Sequence, residues 1–318
     1  MVTIKDLARE AGVSISTVSY ALNGNTRISE ETRERIVALA EDMNYVPNMA
    51  GRNLRRKKTN IIGVYLASYG GVFYSDLLEG IMEEASINGY DIIVCSGEKS
   101  RSFIPERMVD GAIVIDTTFS NEELFKYTNA GAKIVVLDRI LNDGQVPSII
   151  LDNEGGATQA IYELLKHENR PFYLIRGPEG NYDSQMRLKA SAGILEQNNV
   201  PYKVLSGDFT SESGRVAANI ILNEWQGPIS VFAFNDEMAI GLIEGIQVSP
   251  HKVGEDVKLV GFDDSIVGKY IQPSLTSVAY SKHKWGKMAA NRLFELINKK
   301  RVTNEELTTY IKLRDSSK

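Results

Sequence analysis

The hydrophobic pattern divides the chain in two. Over the first 46 residues apolar positions recur at helical spacing, and beyond residue 60 short apolar runs alternate with helical stripes. Ile4, Leu7, Ala8 and Ala11 fall at i, i+3, i+4 and i+7 and predict a short helix. Thr3 with Asp6 three residues on makes a capping-box start, and Gly12 stands where the helix needs a left-handed end. Ser14 caps a second helix that buries Val18 and Leu22 and turns Ile15, Ser16, Ser19 and Tyr20 outward. After the loop NGNTR, Ser29 caps a third helix, with Glu30 and Glu31 in the first turn, where the dipole favours acid. Ile36, Leu39, Ala40 and Met43 form its inner stripe. Three small helices around one core predict a helix-turn-helix domain over residues 1–46.

Residues 47–60 read as a connector. Pro47 stops the third helix and can open another at its first position. Asn48 to Leu54 would make about two turns, too short to stand alone. From Ile61 the apolar run IIGVYL has the continuous character of a buried parallel strand. Tyr74 to Asn88 follows as a helix, with Leu77, Leu78, Ile81, Met82 and Ala85 inward. Ile92–Cys95, Gly111–Ile115 and Ile134–Leu137 complete a first set of strands. Phe172–Ile175, Lys203–Leu205, Val231–Phe234 and Val257–Phe262 form a second set. Helices are expected near 155–167, 185–198, 212–223 and 236–247. Two sets of strand–helix units predict an α/β domain with two doubly wound subdomains.

Composition leaves this picture intact and adds a charge asymmetry. The 318 residues are 43% apolar and 24% charged, with no run long enough to cross a membrane as a helix. The start, MVTIKDLARE, lacks a signal-peptide core, so a cytoplasmic location is expected. The lone Cys95 excludes an intrachain disulfide and cysteine-rich metal sites. The net charge is −5, yet residues 1–58 hold ten Lys/Arg against seven Asp/Glu. Half of those cations crowd into Arg52, Arg55, Arg56, Lys57 and Lys58. A basic end on an acidic body fits a polyanion met by that end alone. The outward face of the second helix, small hydroxyls with one aromatic, suits base edges in a major groove.

Enzyme classes find little support. The three histidines, His167, His251 and His283, fall in no strand-end motif. There is neither a GxSxG elbow nor a GxxxxGK[ST] phosphate loop. No cofactor and no metal are expected. A sugar-binding protein retaining the α/β domain alone would not carry the helical N-terminus.

VTIKDLAREAGVSISTVSYALNG, the Tyr45-Val46-Pro47-Asn48 step and Leu54 resemble the LacI/GalR family of bacterial transcription regulators. The likeness continues through VDGAIVID, VPSIILDNEGGA, FAFNDEMAIG, VKLVGFDDS and PSLTSVAYSKHKWG, and so spans nearly the whole chain. It implies a type I periplasmic-binding-protein-like effector domain over 61–318. One subdomain would comprise 61–150 with 276–302, the other 151–275 with 303–318. It also implies a homodimer on double-stranded operator DNA, consistent with the absence of apolar heptads in TTYIKLRDSSK. The DNA-contacting residues would be Ile15, Ser16, Thr17 and Tyr20 of the second helix and Asn48, Arg52, Leu54 and Arg55 of a hinge helix. Leu54 matches the leucine that wedges into the minor groove at the operator centre. Ala50-Gly51 departs from the usual Val-Ala. SGEKSRSFIPERM, between Cys95 and Val109, is shorter than the family's helix at that place.

Carried over position by position, Phe73, Tyr74, Asp138, Asn181, Asp183, Arg187, Phe209, Asn235 and Asp263 would line the effector cleft. Arg139 reads equally as a solvated strand end, and Asp236 as a cap of the helix it opens. An aromatic face with Arg, Asn and Asp groups suits a sugar; a purine would also fit. The resemblance thus implies a repressor of carbohydrate-utilisation genes released by a small sugar. The alternatives are a corepressor-dependent repressor taking a purine or sugar phosphate and, remotely, a sugar-binding protein or an enzyme.

Overall fold

The computed structural model describes residues 2–46, 58–69, 73–141, 144–167 and 170–318. The chain folds into two compact units, residues 1–59 and 60–318.

Among the described residues the first unit holds three helices, Ile4–Glu10, Ile15–Leu22 and Glu30–Asp42. Each starts as its sequence dictates. Thr3 and Asp6 form a reciprocal capping box, while Ser14 and Ser29 accept the backbone N–H of Thr17 and Thr32. Gly12 takes φ +66, the left-handed turn that lets the second helix leave the first. The core is small: Leu7, Ala8, Ala11, Val18, Ala21, Ile36 and Ala40 are buried. Leu22, expected inside, is only half-buried, and Ala21 lies beside Val18 in its place. Arg35 ties the third helix to the first by donating to the Ala11 carbonyl at 3.1 Å.

Among the described residues the second unit contains three sheets. β1 (Ile61–Leu66), β2 (Asp91–Cys95), β3 (Gly111–Ile115) and β4 (Ile134–Val136) form a parallel sheet in the order β2-β1-β3-β4. β6 (Phe172–Arg176), β7 (Tyr202–Ser206), β8 (Ile229–Ala233), β9 (Val257–Phe262), β10 (Thr276–Ala279) and β12 (Tyr310–Lys312) form the second. Its order is β12-β10-β9-β8-β6-β7, and β12 alone is antiparallel to its neighbour. β5 (Ile149–Leu151) and β11 (Glu305–Leu307) pair with each other where the chain passes between the halves.

Two details depart from the expected layout. Residues 276–302 were assigned to the first half, but β10 extends the second sheet beside β9, in register Thr276 to Val260. Only the following helix, Lys282–Ile297, packs on the first half. It crosses the Ser75–Ile87 helix at a glycine contact: a Cβ on Gly80 would sit 2.1 Å from the His283 carbonyl oxygen, and one on Gly286 equally close to that of Leu77. Trp285 anchors the crossing by donating to the Ile149 carbonyl at 2.8 Å. This close approach also explains Met82, expected inward but 52% exposed. The buried stripe runs through Leu77, Gly80, Ile81 and Ala85, one position round the helix from Met82. The short segment after β2 folds as a 3-10 helix, Glu98–Phe103.

Candidate functional site

The outward face of the Ile15–Leu22 helix begins with Ile15, 37% exposed, and exposed Ser16. Thr17 is half-buried, its hydroxyl 2.9 Å from that of the cap Ser14. Tyr20, expected outward, is half-buried, as is Ser19. Arg27 of the next loop lies over the Tyr20 ring, 5.7 Å from its centre, and donates to its hydroxyl at 3.3 Å. Arg27 was missed because a single arginine in a loop has no periodicity to mark it. A cation beside an aromatic on the reading face suits phosphate and base edges together. Asn48, Arg52, Leu54 and Arg55 lie outside the described residues.

The residues expected to line the effector cleft all follow the carboxyl ends of strands, where open α/β sheets bind ligands. Phe73 and Tyr74 come after β1, Asp138 after β4, Asn181, Asp183 and Arg187 after β6. Phe209 follows β7, Asn235 follows β8 and Asp263 follows β9. Four further residues join them: Asp116 after β3, Asn153 after β5, and Tyr280 and Lys282 after β10.

In the first half, Phe73 and Tyr74 meet edge to face with ring centres 5.0 Å apart. The Tyr74 hydroxyl is held above its ordinary pKa by burial, then by the charges of Asp116 and Asp138. Asp138 is buried. Arg139 donates to its Oδ2 at 3.0 Å, while Oδ1 has no hydrogen-bond partner among the described residues. Burial pushes the Asp138 carboxyl up to about 7, Arg139 opposing and the charges of Asp183 and Asp116 adding to it. Arg139 is no solvated strand end: it also donates to Asn121 Oδ1 and to the Phe119 carbonyl.

In the second half the centre is Arg187, 3% exposed. Its Nε donates to Asn153 Oδ1 at 2.8 Å and its Nη1 to the Phe234 carbonyl. The guanidinium lies flat against Phe262, 3.5 Å from the ring centre. Asn153 in turn donates to Asp183 at 2.8 Å. Asp263 accepts from the Tyr280 hydroxyl at 2.8 Å, and its carbonyl accepts from Lys282. Burial raises the carboxyl pKa of both Asp183 and Asp263, and Arg187 opposes the rise in both. Asp263 holds φ +109, a backbone strain of the kind that collects at binding sites.

Three of the expected residues are occupied by the fold. Asn181 Oδ1 accepts from Ser184 N–H and caps the Tyr182–Gln197 helix. Asn235 Oδ1 caps the Asp236–Gln247 helix, and its Nδ2 donates to the Phe209 carbonyl at 2.9 Å. The cap is therefore Asn235, where Asp236 was expected. Asp236 is buried, accepts from Ser277 Oγ and Ser265 N–H, and is pushed up to about 7 by burial and then by Asp263. Phe209 lies across Gly177, where a Cβ would come within 2.2 Å of the ring.

The profile of bacterial regulatory proteins of the lacI family matches residues 3–48, and that of the periplasmic binding protein-like domain matches 162–317. The probable HTH-type transcriptional repressor ExuR of Bacillus subtilis is 30% identical over 328 residues, which cover 99% of this chain and 98% of that protein. The chain belongs to the LacI family. A LacI-family sugar-binding transcriptional regulator from Enterococcus faecalis is 46% identical, with a TM-score of 0.78 over 82% of this chain and 98% of that one. The lac repressor dimer bound to operator and the anti-inducer ONPF is 26% identical, with a TM-score of 0.84 over 99% of both chains. As a LacI-family member the chain is a DNA-binding transcriptional regulator governed by a small-molecule effector. Among the described residues no helix is long and apolar enough to cross a membrane.

Proposed function

We propose that the chain is a homodimeric, non-enzymatic repressor, acting in the cytoplasm, that leaves its operator when a neutral sugar binds between the two halves. The observation that carries this is Asp138: a buried carboxylate with one oxygen unpartnered among the described residues, in a site whose other wall presents Arg187. A buried acceptor without a donor costs free energy that a ligand hydroxyl recovers. Asp116, Asp183 and Asp263 add acceptors for further hydroxyls, and Phe73 and Tyr74 offer faces for the C–H side of a sugar ring. The same carboxylates repel a phosphate, which weighs against a sugar phosphate corepressor. The Enterococcus faecalis regulator is itself described as sugar-binding, and the lac repressor was seen as a dimer on operator.

On DNA, Ile15, Ser16, Thr17 and Tyr20 face the major groove. By family resemblance Asn48, Arg52, Leu54 and Arg55 approach the minor groove, with Leu54 as the wedge. Affinity then falls steeply with salt as phosphate contacts release counterions.

The test selects a pseudo-palindromic operator on the full chain and titrates the complex with D-glucose, D-galactose, D-ribose, cellobiose and their phosphates. Release by a neutral sugar and not by its phosphate is expected. Tighter operator binding on adding a phosphate or a purine overturns the reading. Leu54→Ala should weaken operator binding and bending while the sugar response stays; unchanged operator binding removes the wedge role.

A further inference from the structure

The segment after β2 places one arginine behind the wall formed by Tyr74, Asp116 and Asp138. Arg101, in the 3-10 helix Glu98–Phe103, has a side chain only 12% exposed. Its guanidinium lies over the Phe119 ring, 4.2 Å from the centre. Nη1 donates to Glu123 Oε2 at 3.1 Å, and Nη2 donates to Thr118 Oγ1. Thr118 passes the contact on: its hydroxyl and its backbone N–H donate to Asp116 Oδ1 at 2.7 and 2.9 Å. Arg101 Nη2 is itself 3.8 Å from Asp116 Oδ2. Asp116 ends β3, is buried, and acts electrostatically on both Tyr74 and Asp138.

The arrangement parallels the neighbouring strand end, where Arg139 holds Asp138 and the Phe119 carbonyl. The loop from Asp116 to Asn121 is thereby gripped by two arginines, each assigned to one carboxylate of the wall. Arg139 arises from the strand end itself. Arg101 arises from the 3-10 helix Glu98–Phe103 that follows β2.

We propose that Arg101 is a positioning residue of the effector site. Through Thr118 it fixes the Asp116 carboxylate and supplies the cation that offsets it, so the segment after β2 helps select the effector. This rests on the sugar reading above.

The test compares Arg101→Met, Arg101→Lys, Asp116→Asn and the double variant R101M/D116N. Operator affinity without sugar and the concentration for half-release are measured with D-glucose, D-galactose, D-ribose and cellobiose. R101M should raise half-release about tenfold, the loss of one buried polar partnership. R101K should restore it to within about threefold, since it keeps the cation. Operator affinity should not move in any variant. In the D116N background R101M should add nothing, because the route through Asp116 is already cut.

Wild-type half-release in R101M overturns the proposal, as does a full R101M effect persisting beside D116N. A parallel loss of operator affinity marks a merely structural role and also overturns it. If R101M loses its cooperative melting transition, Thr118→Val breaks the relay with Arg101 intact, and wild-type half-release there has the same force. If none of the four sugars releases the wild-type chain, the sugar reading fails and takes the inference with it. Release of the wild type with an unaltered R101M sinks the inference alone.

Discussion

The two walls of the cleft hold their charges in opposite ways. In the second half one arginine, Arg187, is shared. It donates to Asn153 and a backbone carbonyl, lies against Phe262, and offsets both Asp183 and Asp263. In the first half each carboxylate has its own arginine, Arg101 for Asp116 and Arg139 for Asp138, and one oxygen of Asp138 has no partner among the described residues. On the reading proposed above, the first arrangement concentrates fold and recognition in one group. The second separates them, with cations behind the wall and an acceptor in front.

That difference sets the sizes of the expected effects. Arg187→Met should be the most severe, because it removes the one cation that offsets both Asp183 and Asp263. A stability loss of about 3 kcal/mol or more should accompany an abolished sugar response. Calorimetry and operator release would read both, and loss of the response with wild-type melting would show that the two roles are separable after all. Asp138→Asn should do what Arg187→Met cannot, weakening the sugar response about tenfold or more with little change in melting. A large melting loss there would erase the contrast between the walls.

The pH dependence sharpens the same point. Asp138 and Asp236 stand at about 7 in the fold, against about 4 in an unfolded chain. A carboxyl raised by folding contributes its stability at low pH and loses it as pH rises through its folded value. Melting of the ligand-free protein should therefore decline between pH 5 and about 8, and D138N should show a shallower decline. A sugar hydroxyl donates more strongly to the ionised form of Asp138 than to the protonated one. Half-release concentration should thus fall as pH rises through about 7 in the wild type and stay flat in D138N; equal slopes would place the hydroxyl elsewhere. The smallest effect is expected at Asn181, whose oxygen is taken by a cap. Asn181→Ala should cost about 1 kcal/mol of stability and leave sugar release unchanged.

The elements of the fold were legible in the sequence because local rules decide them. β1, β3 and β9 begin and end where their apolar runs do, and the helix starts follow Thr3, Ser14 and Ser29. The strand-end positions were legible as well, since a cleft built from strand ends has addresses along the chain. The partnerships were not. Asn153 matters because Arg187, 34 residues later, bonds to it. Asn235, read as a ligand residue, turns out to cap a helix and hold the Phe209 carbonyl, while its neighbour Asp236 is buried among serines. Arg101 carries no periodic signal, and its role follows from where Thr118 and Phe119 fold back on it. Met82 missed its expected side because a glycine contact between two helices rotated the buried stripe away from it.

That glycine contact also has a consequence for the order in which the molecule can be made. The helix at Gly286 packs on the helix at Gly80 and against the first sheet, with Leu293 lying over Gly111 of β3. Yet β4 leaves the ribosome roughly 150 residues before that helix, a delay on the order of ten to thirty seconds at ~5–20 residues per second. During that interval the nascent first sheet has one apolar flank bare. Only when its last fifth arrives can the newborn chain close a sheet laid down near its beginning.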